Sequence, residues 1–107
     1  MKALISRGGG RYALEGELTF ATVPAAWQPA VGGFAGEAEV SIDLAGITRV
    51  DSAGIALLVE MTRAVRRAGG MLRLDRAPPQ LMALAEVGGL DKVLPFTAAG
   101  AISPNAP

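Results

Sequence analysis

The stretch between residues 40 and 68 places the strongest constraint on how this chain can fold. It opens with V-S-I-D-L, an alternation of apolar and polar residues that is typical of a strand buried on one face. After a short connector it continues as V-D-S-A-G-I-A-L-L-V-E-M, in which Asp-Ser stands where a helix N-cap is expected. The predicted helix ends at Gly69-Gly70, a common C-terminal signal. The segment therefore predicts a strand followed closely by a long helix.

The start of this helix carries the hydroxyl of Ser52, and two arrangements fit the spacing. Either Ser52 is the N-cap itself, or Asp51 is the cap and Ser52 takes the first helical position with its hydroxyl free. In the second arrangement the hydroxyl lies at the positive end of the helix dipole, which favours a partner contact or a phosphate. The charge of Asp51 would repel such a phosphate, so both structural capping and a switch or contact role remain open.

The helix carries more apolar surface than packing on a sheet requires. Its apolar arc spans roughly 220°, about twice the ~100° stripe of a helix packed on one surface. One stripe faces the sheet, and a second, adjacent stripe contains Leu57 and Met61, with Ala53 preceding them beside Ser52. The second stripe either packs against neighbouring helices or forms an exposed patch that docks a partner protein.

The flanking segments add strands and helices in alternation. Residues 11–20 predict two short strands bent at Gly16, an antiparallel hairpin, and residues 72–74 predict another strand before a helix that starts at Pro78-Pro79. The order ββαβαβα predicts an α/β fold with parallel strand pairs. Because the strands alternate in polarity, we expect helices on one face of the sheet and water on the other. Phe20 and Trp27 are expected in the core.

Composition excludes several classes of function. The formal net charge is zero, which argues against nucleic-acid binding, and the chain has no cysteine or histidine for a disulfide or an ordinary zinc site. Ser52 lacks a histidine base, no phosphate-binding P-loop is present, and no suitable lysine follows Asp43 and Asp51 to complete a magnesium receiver site. The sequence thus predicts a protein that is not an enzyme and has no cofactor or metal. No signal peptide or membrane-spanning run is visible, so a cytoplasmic protein without direct membrane insertion is expected.

The run I-D-L-A-G-I-T-R-V-D-S-A-G-I-A-L-L resembles the core motif of the STAS domain family, and the resemblance covers residues 11–96. It implies a STAS fold: a single mixed β-sheet of four to five strands with α-helices packed on one face. Residues 1–10 are then a flexible N-terminus and residues 97–107 a disordered tail.

The resemblance also implies a function site and two alternative partners. The family's functional serine corresponds to Ser52, and the implied partner-binding residues around it and along the helix are Asp51, Ala53, Gly54, Leu57 and Met61. In one subgroup, anti-sigma factor antagonists bind an anti-sigma serine kinase and are switched off by phosphorylation at this serine. In the other, the cytoplasmic STAS subunit of the Mla-type phospholipid-transport ABC complex binds the ATPase subunit, which holds it at the inner membrane.

Three features resemble the transporter subgroup more closely. These are L-E-G-E-L followed by V-P-A-A-W, the S-A-G-I-A-L-L-V-E-M version of the helix, and the ending D-K-V-L-P-F. Sigma-type members often have a second serine where this chain has Ala53. The resemblance therefore implies an interaction module that supports a transporter ATPase, with the anti-sigma antagonist as the alternative.

Overall fold

The computed structural model describes residues 4–25 and 38–97. The strands are β1 (Leu4–Gly8), β2 (Arg11–Leu14), β3 (Gly16–Leu18), β4 (Glu39–Asp43), β5 (Ile47–Val50) and β6 (Met71–Asp75). The helices are α1 (Ser52–Arg67) and α2 (Pro79–Val87), and residues 23–25 are also helical. The predictions for Trp27 and for residues 98–107 lie outside the described residues.

The main sheet is mixed and has four strands in the order β1-β2-β4-β6. β1 runs antiparallel to β2, whereas β2, β4 and β6 are parallel. β3 and β5 form a separate parallel pair. The α/β fold with a mixed four-stranded sheet is thus confirmed.

The hairpin predicted within residues 11–20 is wrong. β2 and β3 do not pair with each other, because each has its own parallel partner, β4 and β5 respectively. Gly16 has a φ of 89°, which bends the chain between the two strands without reversing its direction. The N–H of Gly16 donates to the carbonyl of Gly46 at 3.0 Å, so the pairing of β3 with the segment of β5 begins directly at the bend.

Both predicted boundaries of the domain also shift. The prediction that residues 1–10 are flexible is wrong for the part that forms β1, because β1 pairs with β2. The hairpin turn lies at Gly8, Gly9 and Gly10, whose φ angles of 84°, 63° and 79° are open to glycine at little cost. At the other end, Phe96 forms a parallel bridge with Leu74, and Thr97 donates its N–H to the carbonyl of Leu74 at 3.0 Å. Thr97 therefore belongs to the folded domain rather than to a tail.

The alternation within the strands separates a buried face of the sheet from an open one. Val40 and Ile42 of β4, and Leu72 and Leu74 of β6, are buried. Their neighbours along each strand, such as Ser41, are not. The helices lie on the buried face, where α1 contacts β5, β6 and α2.

The apolar excess of α1 is taken up by the core. Leu57 and Met61 are both 0% exposed and belong to the main hydrophobic cluster. Because α1 packs against α2 as well as the strands, its apolar arc is wider than contact with the sheet alone would need. The expectation that Leu57 and Met61 face a partner protein is therefore wrong.

We predict that Met61→Ala lowers the free energy of unfolding by about 2–5 kcal/mol, because it removes a fully buried side chain and leaves a cavity. Urea unfolding followed by circular dichroism measures the change. Val87→Ala is the control, since Val87 is 86% exposed and its loss should change stability by less than about 0.5 kcal/mol. Equal stability of the two variants would contradict the placement of Met61 in the core.

Candidate functional site

Asp51 is the N-cap of α1, which decides between the two arrangements open from the sequence. Its backbone is extended, with φ −132° and ψ −170°, and its Oδ1 accepts hydrogen bonds from the N–H groups of Ala53 at 2.9 Å and Gly54 at 3.3 Å. These are two of the donors that the first turn of a helix leaves without an intrahelical partner. Simple capping by Ser52 is therefore wrong, and Ser52 takes the first helical position.

The second oxygen of the same carboxylate ties the helix to another part of the chain. Oδ2 of Asp51 accepts the N–H of Phe20 at 2.9 Å, and the N–H of Asp51 donates to the carbonyl of Leu18 at 3.3 Å. The N–H of Phe20 is the main reason that the pKa of Asp51 lies below its ordinary value. The N–H groups of Gly54 and Ala53 and the charge of Arg49 lower this pKa further.

The turn that carries Phe20 is fixed by the hydroxyl of Thr22. This hydroxyl donates to the carbonyl of Glu17 at 2.8 Å and accepts the N–H of Thr19 at 2.9 Å. Held from both sides, the turn leaves the Phe20 side chain 79% exposed. The expectation that Phe20 lies in the core is wrong, because its backbone is bound to the helix cap while its ring points away from the cluster of buried residues.

Ser52 is exposed next to Asp51, whose carboxylate binds the backbone N–H of Phe20, and the residues around it on α1 are small. Ala56, one turn further along α1, is exposed as well, and Ala53 is half-buried against the core. We call Phe20, Ser52, Ala53 and Ala56 the docking surface. Its four side chains carry no formal charge, and the only hydroxyl among them is that of Ser52.

Gly54 has a packing role rather than a place on the docking surface. It is buried, and a Cβ added there would lie 2.3 Å from the carbonyl oxygen of Leu18 and 2.9 Å from Cγ2 of Val50. The absence of a side chain lets the first turn of α1 approach β3 and β5 closely. Of the residues predicted for the site, the structure brings Asp51, Ser52 and Ala53 together at the surface and places Gly54, Leu57 and Met61 inside.

The arrangement is suited to binding. Neutral aromatic and small side chains around one hydroxyl offer contact area and a hydrogen bond. Within residues 4–25 and 38–97, no group of three or more acidic side chains converges in the manner of a metal site. Neither labelled helix has the length and hydropathy of a bilayer-spanning segment.

Sequence reasoning missed two members of the docking surface, Phe20 and Ala56. The Thr-Phe-Ala-Thr run between a strand and Pro24 is typical of a turn, and the hydroxyl of Thr22 could have indicated it. The position of the turn that carries Phe20 depends on the long-range bond to Asp51, which no local pattern contains.

Comparison with known proteins identifies the fold. Residues 5–95 match the family model described as Mlab, STAS domain. No curated protein sequence matches the chain significantly.

Solved structures agree with that assignment. The anti-sigma factor antagonist SpoIIAA in its unphosphorylated form superposes with a TM-score of 0.70 at 16% identity, covering 88% of this chain and 84% of that one. A STAS domain protein from Planctomyces limnophilus gives 0.69 at 20% identity, with 86% of each chain covered. A candidate anti-sigma factor antagonist from Thermotoga maritima gives 0.68 at 14% identity, covering 90% of this chain and 87% of that one. At these identities the similarity shows the fold alone.

We predict that Asp51→Ala lowers the melting temperature by about 5 °C, because the first turn of α1 and the turn at Phe20 lose their common acceptor. Asp51→Asn keeps a capping oxygen and serves as the matched control, with a smaller decrease.

The same pair gives a pH test. Folding lowers the pKa of Asp51 from its ordinary value of 3.8. The charged carboxylate therefore stabilises the folded protein fully at pH values above 3.8, and this stabilisation is lost as the pH falls through the folded-state pKa. The stability difference between wild type and Asp51→Asn should therefore shrink between pH 7 and pH 2 in thermal unfolding. A difference that stays constant over this range would contradict the role of the charged carboxylate.

Proposed function

The chain belongs to the STAS domain family, and from this membership we propose that it is a non-enzymatic subunit that binds the ATPase of an Mla-type phospholipid-transport ABC complex. STAS domains are protein-interaction modules, and the matching family model carries the Mlab description. Both points favour a docking function, and the second favours the transporter branch of the family. The location that follows is cytoplasmic, at the inner membrane through the partner complex.

The exposed side chain of Phe20, whose backbone is bound to the cap of the helix that carries Ser52, is the observation that carries the proposal. A phenylalanine that is 79% exposed costs free energy in water, and a partner that covers it recovers the hydrophobic contribution. Protein interfaces commonly centre on a few large anchors surrounded by small residues that exclude water. Ala53 and Ala56 fit that second role, because they allow a partner helix or loop to approach the backbone of α1 closely.

The rigidity of the docking surface supports the same function. Asp51 joins the start of α1 to the turn at Phe20, so that the backbones of Ser52 and Phe20 are held in one arrangement before the partner binds. Little backbone entropy is then lost at this surface on association. The hydroxyl of Ser52 supplies direction through a hydrogen bond to the ATPase.

Binding of this kind supports an ATPase by linkage. If the subunit prefers the competent conformation of the ATPase by ~100-fold, the conformational equilibrium shifts by ~2.7 kcal/mol toward that state. No chemical step in the STAS domain is required, and the movement of lipid belongs to other subunits.

An anti-sigma factor antagonist is the second candidate, and the exposed hydroxyl of Ser52 favours it. A serine kinase could reach this hydroxyl at the first position of α1. Against it, the N–H groups of Ala53 and Gly54, which would otherwise bind a phosphate, already donate to Asp51. The carboxylate would also repel the added charge. The geometry therefore favours constitutive docking over a phosphate switch.

We predict that Ser52→Arg and Ser52→Asp weaken binding to the ATPase at least ~10-fold while leaving the fold intact, because each places an unpaired charge in a desolvated interface. The measurement is a tagged pull-down from cytoplasm and solubilised membranes, with mass spectrometry for partners and for phosphate. Affinity for the ATPase recovered in this way is then measured by calorimetry.

Ser6→Arg is the matched control, because Ser6 is also exposed but lies on edge strand β1. Loss of an ABC ATPase and its permease with the Ser52 variants, but not with Ser6→Arg, supports the proposal. Full-strength binding by the Ser52 variants would contradict the proposal, because it would show that the docking surface is not part of the interface. A serine kinase recovered together with a mass increase of ~80 Da on Ser52 would instead establish the antagonist function.

A further inference from the structure

The open face of the sheet carries a row of polar side chains that the docking function does not use. Arg11 of β2 is in register with Ser41 of β4, and Ser41 is in register with Arg73 of β6. Register partners in parallel strands point to the same side of a sheet, and Ser41 lies between Val40 and Ile42, which face the core. With strands ~4.8 Å apart, the two arginines stand roughly 10 Å apart across the serine.

The two arginines of this row have no acidic partner among residues 4–25 and 38–97. The other arginines of the same face are occupied: Arg7 is paired with Glu15 at 3.0 Å, and Arg76 donates two hydrogen bonds to Asp43. The bond from Arg76 is the main reason that the pKa of Asp43 is lowered.

The carboxylate at the end of β6 is also bound within the fold. Oδ1 of Asp75 accepts the hydroxyl of Thr97 at 2.9 Å. Glu39 lies two residues before Ser41 on the same strand and is in register with Met71. It is the one acidic neighbour of the row, within the described residues, for which the structure gives no partner, and its charge opposes an anion.

Two depressions meet at the row. One has a volume of about 700 Å³ and also includes Tyr12, Asp43 and Arg76 in its lining. The other has a volume of about 290 Å³ and is lined by the turn at Gly9, by Glu39 and by Met71, which is 68% exposed. Arg11, Ser41 and Arg73 line both. The row is therefore cationic and has an apolar side chain next to it.

We propose that Arg11, Ser41 and Arg73 bind the phosphate group of a soluble phosphate ester, whose organic part lies on Met71. Guanidinium groups present paired N–H donors that match the oxygens of a phosphate, and the serine hydroxyl adds a donor between them. Repulsion between the two arginines is relieved when the anion binds. Cavities of this size fit small molecules.

The test is a calorimetric titration of the intact chain with phenyl phosphate, and with inorganic phosphate for comparison. Saturable binding is expected, tighter for the ester because its ring contacts Met71. Arg11→Ala and Arg73→Ala should each weaken binding at least ~10-fold, and Arg73→Lys less, because it keeps the charge but loses the paired donors. Glu39→Gln should strengthen binding about 2-fold by removing a like charge from the vicinity of the anion.

Arg66→Ala is the control for net charge, since Arg66 is exposed in the last turn of α1, and it should leave binding unchanged. No saturable binding of phenyl phosphate, or an equal loss in Arg66→Ala, would overturn the proposal. Flotation with phosphatidylglycerol vesicles tests the other source of a phosphate group, which is a lipid headgroup. Arginine-dependent binding to vesicles without binding of the soluble ester would assign the row to a membrane surface and refute the soluble ligand.

Discussion

The carboxylate of Asp51 is the interaction on which the arrangement of this domain most depends. It accepts three backbone N–H groups, two from the first turn of α1 and one from Phe20. Through them the turn between β3 and the helical residues 23–25 is joined to the cap of α1, which lies 31 positions after Phe20 in the chain. Because Asp51 caps the helix, the hydroxyl of Ser52 is not needed as a cap and stays exposed at the first helical position.

The close approach of α1 to β3 is the second requirement of the site. Gly54 provides it, since any side chain there would meet the carbonyl of Leu18. The D-S-A-G run therefore combines a cap, an exposed hydroxyl, a small surface residue and a packing contact. Its proposed role in function rests on Ser52 and Ala53, and its role in stability on the cap at Asp51 and the packing of Gly54.

The domain has two chemically different exposed surfaces, which follow from the alternation of its strands. The four side chains of the docking surface are uncharged and include an exposed phenylalanine, whereas the open face of the sheet has paired and unpaired arginines. The two surfaces belong to opposite sides of the sheet, because α1 covers the face that Val40 and Ile42 share with the core. A partner protein and a small anion could therefore bind at the same time.

The sequence predicted the parts of this account that depend on local pattern. The alternation around Ile42 predicted β4, and the long apolar periodicity after Asp51 predicted α1, since both signals lie within one element. The failures concern long-range geometry. Periodicity showed that Leu57 and Met61 lie on a second apolar stripe, but it could not show that α2 and the strands surround them.

Hydrogen bonds and register between distant segments account for the other differences. The position of the turn at Phe20 depends on a bond from its backbone N–H to Asp51, which is remote in sequence. The row formed by Arg11, Ser41 and Arg73 depends on the pairing of three strands, which no window of the sequence contains.

Site-specific photocrosslinking tests the central claim most directly. A benzoylphenylalanine placed at Phe20, where the native ring is already exposed, should crosslink to the ATPase subunit in the assembled complex. The same residue at Met71, which is 68% exposed on the open face of the sheet, should not. A crosslink to the ATPase from position 71 and none from position 20 would contradict the assignment of the docking surface to the start of α1.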